Sequence, residues 1–145
     1  MAKIPEQLHE YINSAFPQNV CFIATVSSEG IPSIGPKGSM MVFDGDTLAF
    51  WERTMRNAWE NIKTNPNVMV IYRNPELRQS GLLPAGGIAR IWGTAEIHED
   101  GPTREAVWER VIEQEKNQDP DKKGAAVLIK IEKAEHLNGN PLDTA

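Results

Sequence analysis

Residues 32–67 read PSIGPKGSMMVFDGDTLAFWERTMRNAWENIKTNPN, and the fold class turns on them. Asp44-Gly45 is the pair expected at a tight hairpin turn, with a strand on either side. The third strand of the chain runs Thr47–Trp51. Beyond it the apolar spacing changes from strand to helix: Met55, Ala58, Trp59 and Ile62 recur on one helical face. Thr54 stands where an N-cap belongs, and Asn65-Pro66 closes the helix. At the junction sit Arg53 and Arg56, in a chain whose net charge is −5. Cations in front of a helix start make a natural place to hold a phosphate. The stretch therefore points to a small β-rich domain that binds a phosphorylated cofactor.

Upstream, Pro5 to Ala15 reads as a helix with Leu8, Tyr11, Ile12 and Ala15 on one face, ended by Pro17. Val20 to Ser27 is nearly all apolar and rich in β-branched residues, as a central strand is. Ser28-Glu29-Gly30 makes a turn, and the chain returns from Ile31 to Phe43. Pro32 and Pro36 place that return on an irregular or edge segment, because proline donates no ladder hydrogen bond. Downstream, Asn67–Tyr72 is a strand and Asn74–Gly86 a loop. Gly87–His98 is a long strand in which Gly93 marks a bulge or a close backbone approach. Pro102 to Lys116 reads as one amphipathic helix with Val107, Trp108, Val111 and Ile112 inward. A polar link leads to a last strand, Ala126–Ile131. The tail from Lys133 to Ala145 shows no strong period. The expected fold is a single mainly β domain over residues 1–145, with about six antiparallel strands and three short helices. Many short strands joined by tight turns favour a closed barrel.

Composition narrows the function. The acidic balance excludes nucleic acid as a partner, which would need a basic face. No apolar run approaches the roughly 20 residues of a membrane helix, and MAKIPEQLHEYI lacks a signal-peptide core. No membrane association and a cytoplasmic location are the default. The one cysteine, Cys21, lies in an apolar run and reads as a small buried hydrophobe. His9, His98 and His136 stand alone, without the spacing of a zinc site, so no metal is expected. Asp44 and Asp46 flank Gly45 as turn residues do. The acids of Glu96–Asp100 lead into a helix start.

The basic junction remains. Arg53, Thr54, Arg56 and Asn57 offer guanidinium groups, a hydroxyl and an amide, and Lys37 joins them if the hairpin brings it alongside. The alternative is a set of solvated surface cations. Trp59 and Trp108 fit inward helix faces. Trp51 and Trp92 lie on strands, where they flank a planar ring system or simply pack.

In order and spacing the motifs resemble the pyridoxamine 5′-phosphate oxidase-like, FMN-binding split-barrel family, from about residue 6 to residue 132. The landmarks are Ala24-Thr25-Val26, Glu29-Gly30-x-Pro32, Asp44-Gly45 and Asn61-Ile62-x-x-Asn65-Pro66-x-Val68, followed by IWGTAEI and AVLIKI. The resemblance implies a six-stranded antiparallel split barrel and a homodimer with FMN in a groove at the subunit interface. Carried over by position, the phosphate is held by Lys37, Gly38 and Ser39 and by Arg53, Thr54, Arg56 and Asn57. Pro36–Ser39 runs past the edge of the isoalloxazine ring. Trp92, or His136 and Asn138 of the tail, closes the pocket from the partner subunit. Many members carry a lysine at the position of Asn57; here Arg56 and Arg53 are the candidates to replace its charge.

The function expected from the resemblance is that of an FMN-binding redox protein, a flavin-dependent oxidoreductase acting on a small molecule with an electron donor such as NAD(P)H. The arginine-rich region and C-terminal motif of the true pyridoxamine phosphate oxidase are lacking, so vitamin B6 synthesis is not expected. The second reading is a flavin store or sensor without turnover, and a third puts a deazaflavin or haem in the groove. No residue stands out as a catalytic acid or base.

Overall fold

Seven strands among the described residues form one antiparallel sheet. The computed structural model describes residues 2–142. Its strands are β1 (Cys21–Val26), β2 (Pro32–Lys37), β3 (Met41–Asp44), β4 (Thr47–Glu52), β5 (Asn67–Arg73), β6 (Ile88–His98) and β7 (Ala125–His136). The helices are α1 (Glu6–Asn13), α2 (Asn57–Thr64), α3 (Glu76–Gln79), α4 (Gly101–Arg110) and α5 (Glu113–Lys116). The strand order is β2-β1-β5-β6-β7-β4-β3, and the sheet is split: β2 and β3 are its two edges and do not pair with each other.

The expected return strand Ile31–Phe43 is two strands. Its chain leaves one edge of the sheet after Lys37, crosses the opening through Gly38-Ser39-Met40, and joins the other edge at Met41. This crossing raises the strand count from six to seven and replaces the closed barrel with an open one. Pro32 and Pro36 do sit on an edge strand. The Asp44-Gly45 hairpin joins β3 to β4, and the register of β6 on β7 shifts between Trp92 and Gly93. A side chain at Gly93 would collide with the Lys130 carbonyl, which explains a glycine inside a strand.

Three helical expectations change. Tyr11 is exposed, while Leu8 and Ile12 carry the inward face of α1. The helix after β4 starts at Asn57, not at Thr54, whose side chain has another partner described below. The single helix over Pro102–Lys116 breaks at Val111-Ile112, where both residues turn to extended backbone. Val107 and Val111 are buried, whereas Trp108 and Ile112 are only partly so.

The last strand continues through Lys133 to His136, pairing with β6 from Ala89 to His98. The chain then folds back so that Pro141 bridges Glu135 and Leu142 is buried. Residues 143–145 of the expected tail lie outside the described residues. The main core fills the inner face of the sheet, with Phe50, Val70, Tyr72, Ile91 and Ile129 fully buried. A second cluster, Met41, Ala49, Trp51, Ala126 and Leu128, is covered by Val107 of α4 and Val111 just beyond it. No described helix is long and apolar enough to cross a membrane.

Candidate functional site

The opening of the sheet holds a cavity of about 360 Å³, where the end of β2 faces the end of β4. Strand alternation sets what each residue presents there. Along β4, Leu48, Phe50 and Glu52 point to the main core side, while Ala49 and Trp51 point to α4. Glu52 thus ends a wholly buried strand and is itself 2% exposed. A carboxylate so buried needs partners, and it has four. Oε1 accepts a hydrogen bond from Lys37 Nζ at 2.9 Å. Oε2 accepts from the Thr54 backbone N–H at 3.1 Å, the Thr54 hydroxyl at 3.1 Å and the Met55 N–H at 3.2 Å. Met55 takes the left-handed conformation, φ 49°, which side chains rarely adopt. Its N–H and that of Thr54 converge on one carboxylate oxygen.

Burial alone pushes the Glu52 carboxyl up. The Lys37 hydrogen bond and charge, with the Met55 and Thr54 N–H groups, outweigh it and hold the carboxyl below the usual range. Glu52 is therefore ionised at neutral pH.

Phe16, Pro17, Val20 and Pro36 form the apolar wall of the cavity, and Gly38 and Glu115 close it. A Cβ on Gly38 would press within 3.0 Å of Phe16 and of Glu115, so only glycine fits this approach without displacing them. Arg53 reaches the rim and lies 3.9 Å from Glu115, a loose ion pair. Lys37 and Arg53 are thus each matched by a carboxylate.

A second recess of about 160 Å³ adjoins the first and shares Pro36, Lys37, Glu52 and Thr54 with it. Thr25, Ser33, Arg56 and Asn57 also line it. Among the described residues Arg56 has no ion pair. Asn61 of α2 is anchored to Thr25 at 2.9 Å, which fixes the helix against β1.

Of the ten candidates Pro36–Ser39, Trp51, Arg53, Thr54, Arg56, Asn57 and Trp92, nine line one recess or the other. Besides Lys37 and Arg53, three of the nine are committed to other partners. Ser39 Oγ donates to the Trp51 carbonyl at 3.3 Å and accepts the Trp51 N–H at 2.9 Å, tying the crossing segment to β4. The Trp51 indole donates to Asp119 at 2.8 Å and packs on Trp108, 4.7 Å between centroids. Thr54 serves Glu52. The tenth, Trp92, lies outside both recesses, half-buried between Arg90 and Lys133.

Glu52 is the residue that sequence reading missed. Its signal was a lone acid closing an apolar strand among Lys37, Arg53 and Arg56. Cys21, by contrast, is buried with its thiol pushed up to about 12, so it offers no thiolate. No cluster of metal-ligating side chains occurs among the described residues.

A family model for pyridoxamine 5′-phosphate oxidase matches residues 4–138. Group A Streptococcus HupZ is similar in structure, with 28% identity, 95% of this chain and 97% of that one covered, and a TM-score of 0.69. A Lactobacillus delbrueckii protein assigned to pyridoxamine 5′-phosphate oxidase matches at 29% identity, covering 93% and 99%, with a TM-score of 0.64. An F420 reductase shares the fold at 18% identity, 92% and 99% coverage and a TM-score of 0.60. No curated protein matches the sequence.

Proposed function

The chain belongs to the pyridoxamine 5′-phosphate oxidase family, and on that premise we propose that it binds FMN in the groove beside β2 and acts as a flavin-dependent oxidoreductase on a small molecule. The observation that carries the reading is Arg56, which has no ion pair among the described residues, beside Asn57 at the start of α2 in a recess continuous with the larger cavity. A phosphate finds there the guanidinium, the amide and the first N–H groups of the helix. The other end of the expected phosphate set does not fit, because Glu52 already holds Lys37 and Thr54. The apolar wall of Phe16, Pro17, Val20 and Pro36 suits a planar ring.

Bound flavin would supply the hydride or electron chemistry, with NAD(P)H as donor. The chain's own part is to hold and orient: Arg56 and Asn57 bind the phosphate, and the Pro36–Gly38 backbone borders the ring. Glu52 stays ionised and keeps Lys37 in place. The test is a visible spectrum of the purified protein, before and after FMN loading and desalting. A retained flavin band is expected; a colourless protein after loading overturns the reading.

A second reading, a ligand-binding protein without turnover, draws on the same Glu52 network, which commits the groove's buried acid to structure. A bound flavin that neither NADH nor NADPH reduces would favour it. A deazaflavin suits the groove on the same grounds. Haem suits it less, since no histidine lines either recess among the described residues.

A homodimer, common in this family, is part of the proposal. On the outer face of β2, β1, β5 and β6, cross-strand neighbours place Ile34, Ala24, Met69 and Trp92 in one row and Pro36, Phe22, Ile71 and Arg90 in the next. Ile34 is 67% exposed and Phe22 40%. A second copy would cover this face and bring Trp92 to the interface.

A further inference from the structure

The turn after β4 is built like an anion-binding nest: two successive backbone N–H groups, a hydroxyl and an ammonium converge on one point. In this chain the anion at that point is covalently attached. The Glu52 carboxylate takes all four donors and is almost wholly shielded from solvent. A phosphate or carboxylate arriving from outside would find the Thr54 and Met55 donors taken, only the remaining N–H groups of Lys37 open, and a fixed negative charge in its place.

We propose that Glu52 is a tethered anion that determines specificity, closing the Lys37–Thr54–Met55 cradle to external phosphate and carboxylate groups. The groove then accepts only ligands whose anionic end lies elsewhere, toward Arg56, or that carry none. The inference rests on the reading above for where a ligand sits, and is independent of which ligand that is. Removing the side chain leaves Lys37, the Thr54 hydroxyl and two N–H groups facing an open space of carboxylate size, a ready phosphate site.

The test uses the full chain, amide NMR and inorganic phosphate as the probe. In the unmodified protein the Thr54 and Met55 amides should stay unmoved through millimolar phosphate. In Glu52→Ala both should shift and saturate, with phosphate bound about tenfold tighter than by the unmodified protein. Glu52→Gln, which removes charge and keeps shape, should give a smaller gain. Thr54 and Met55 amides that follow phosphate in the unmodified protein would overturn the proposal, as would a folded Glu52→Ala with no gain. Should neither variant fold, the Glu52 carboxyl carbon of the unmodified protein decides: phosphate must leave its shift unchanged, and movement refutes the tethered anion. A failure to bind FMN or riboflavin, with these phosphate results intact, would sink the flavin reading and leave this one standing.

Discussion

Lys37 Nζ and Glu52 Oε1 stand 2.9 Å apart and join the end of β2, one edge of the sheet, to the end of β4, the strand next to the other edge. The pair fastens the opening of the split barrel. Glu52 is buried, while Lys37 keeps 16% of its surface. Removing one partner of such a pair leaves an uncompensated charge, which costs more than the pair itself contributes. Lys37→Met should therefore lower stability by about 3 kcal/mol, toward the small end because water still reaches position 37. Denaturant unfolding checks this. Lys37→Met/Glu52→Gln should recover part of the loss, since the amide leaves no buried charge behind and its oxygen still accepts from Thr54 and Met55.

Acid stability follows from the same carboxylate. Its folded value lies below the ordinary 4.5, so its contribution is fully present above that pH and is lost as pH falls through the folded value. The unmodified protein should lose stability faster than Glu52→Gln on going from about pH 5 to about pH 3. Asp119, also lowered, acts in the same direction but is common to both proteins. The difference between two denaturant-midpoint curves against pH isolates Glu52. Parallel curves would mean that its carboxylate is no better placed in the folded chain than in the unfolded one.

The cations of the groove should separate in flavin binding. Arg56 has no ion pair among the described residues and lines the recess at the start of α2, whereas Arg53 is partly engaged by Glu115. Losing one charge-assisted contact to phosphate weakens binding by about tenfold. Arg56→Ala should raise the FMN dissociation constant by about that factor, and Arg53→Ala by clearly less. Riboflavin, which has no phosphate, should bind both variants and the parent alike. Fluorescence quenching of the flavin reads all three.

Much of this architecture was legible because its signals are local. Pro32 and Pro36 mark an edge strand wherever they occur, Asp44-Gly45 makes a hairpin, and Gly93 marks the register shift of β6 on β7. What escaped depends on remote partners. Lys133–His136 is a strand only because Ala89–Trp92 lies alongside it. The break at Gly38–Met40 exists because Ser39 is tied to Trp51 across the opening. Thr54 looked like a helix cap, yet a carboxylate two residues earlier takes its hydroxyl. Glu52 itself could not be placed without knowing that Lys37, 15 residues away, ends the facing strand.

The outer face of β2 and β1 yields the last prediction. Ile34 and Phe22 are among the most exposed large apolar residues described, and they sit in adjacent rows with Ala24, Met69 and Ile71. Contiguous apolar surface of this kind is costly in water and is normally covered. Under the homodimer proposal a second copy covers it, so Ile34→Lys should shift the chain from dimer to monomer in sedimentation at micromolar concentration. Position 34 lies on an edge strand with its side chain outward, so the monomer should keep its fold and circular dichroism. Ile31, also exposed but in the loop leading into β2 and outside these rows, is the control: Ile31→Lys should leave the dimer intact. An unmodified protein that sediments as a monomer would leave this face without its proposed cover and overturn the dimer.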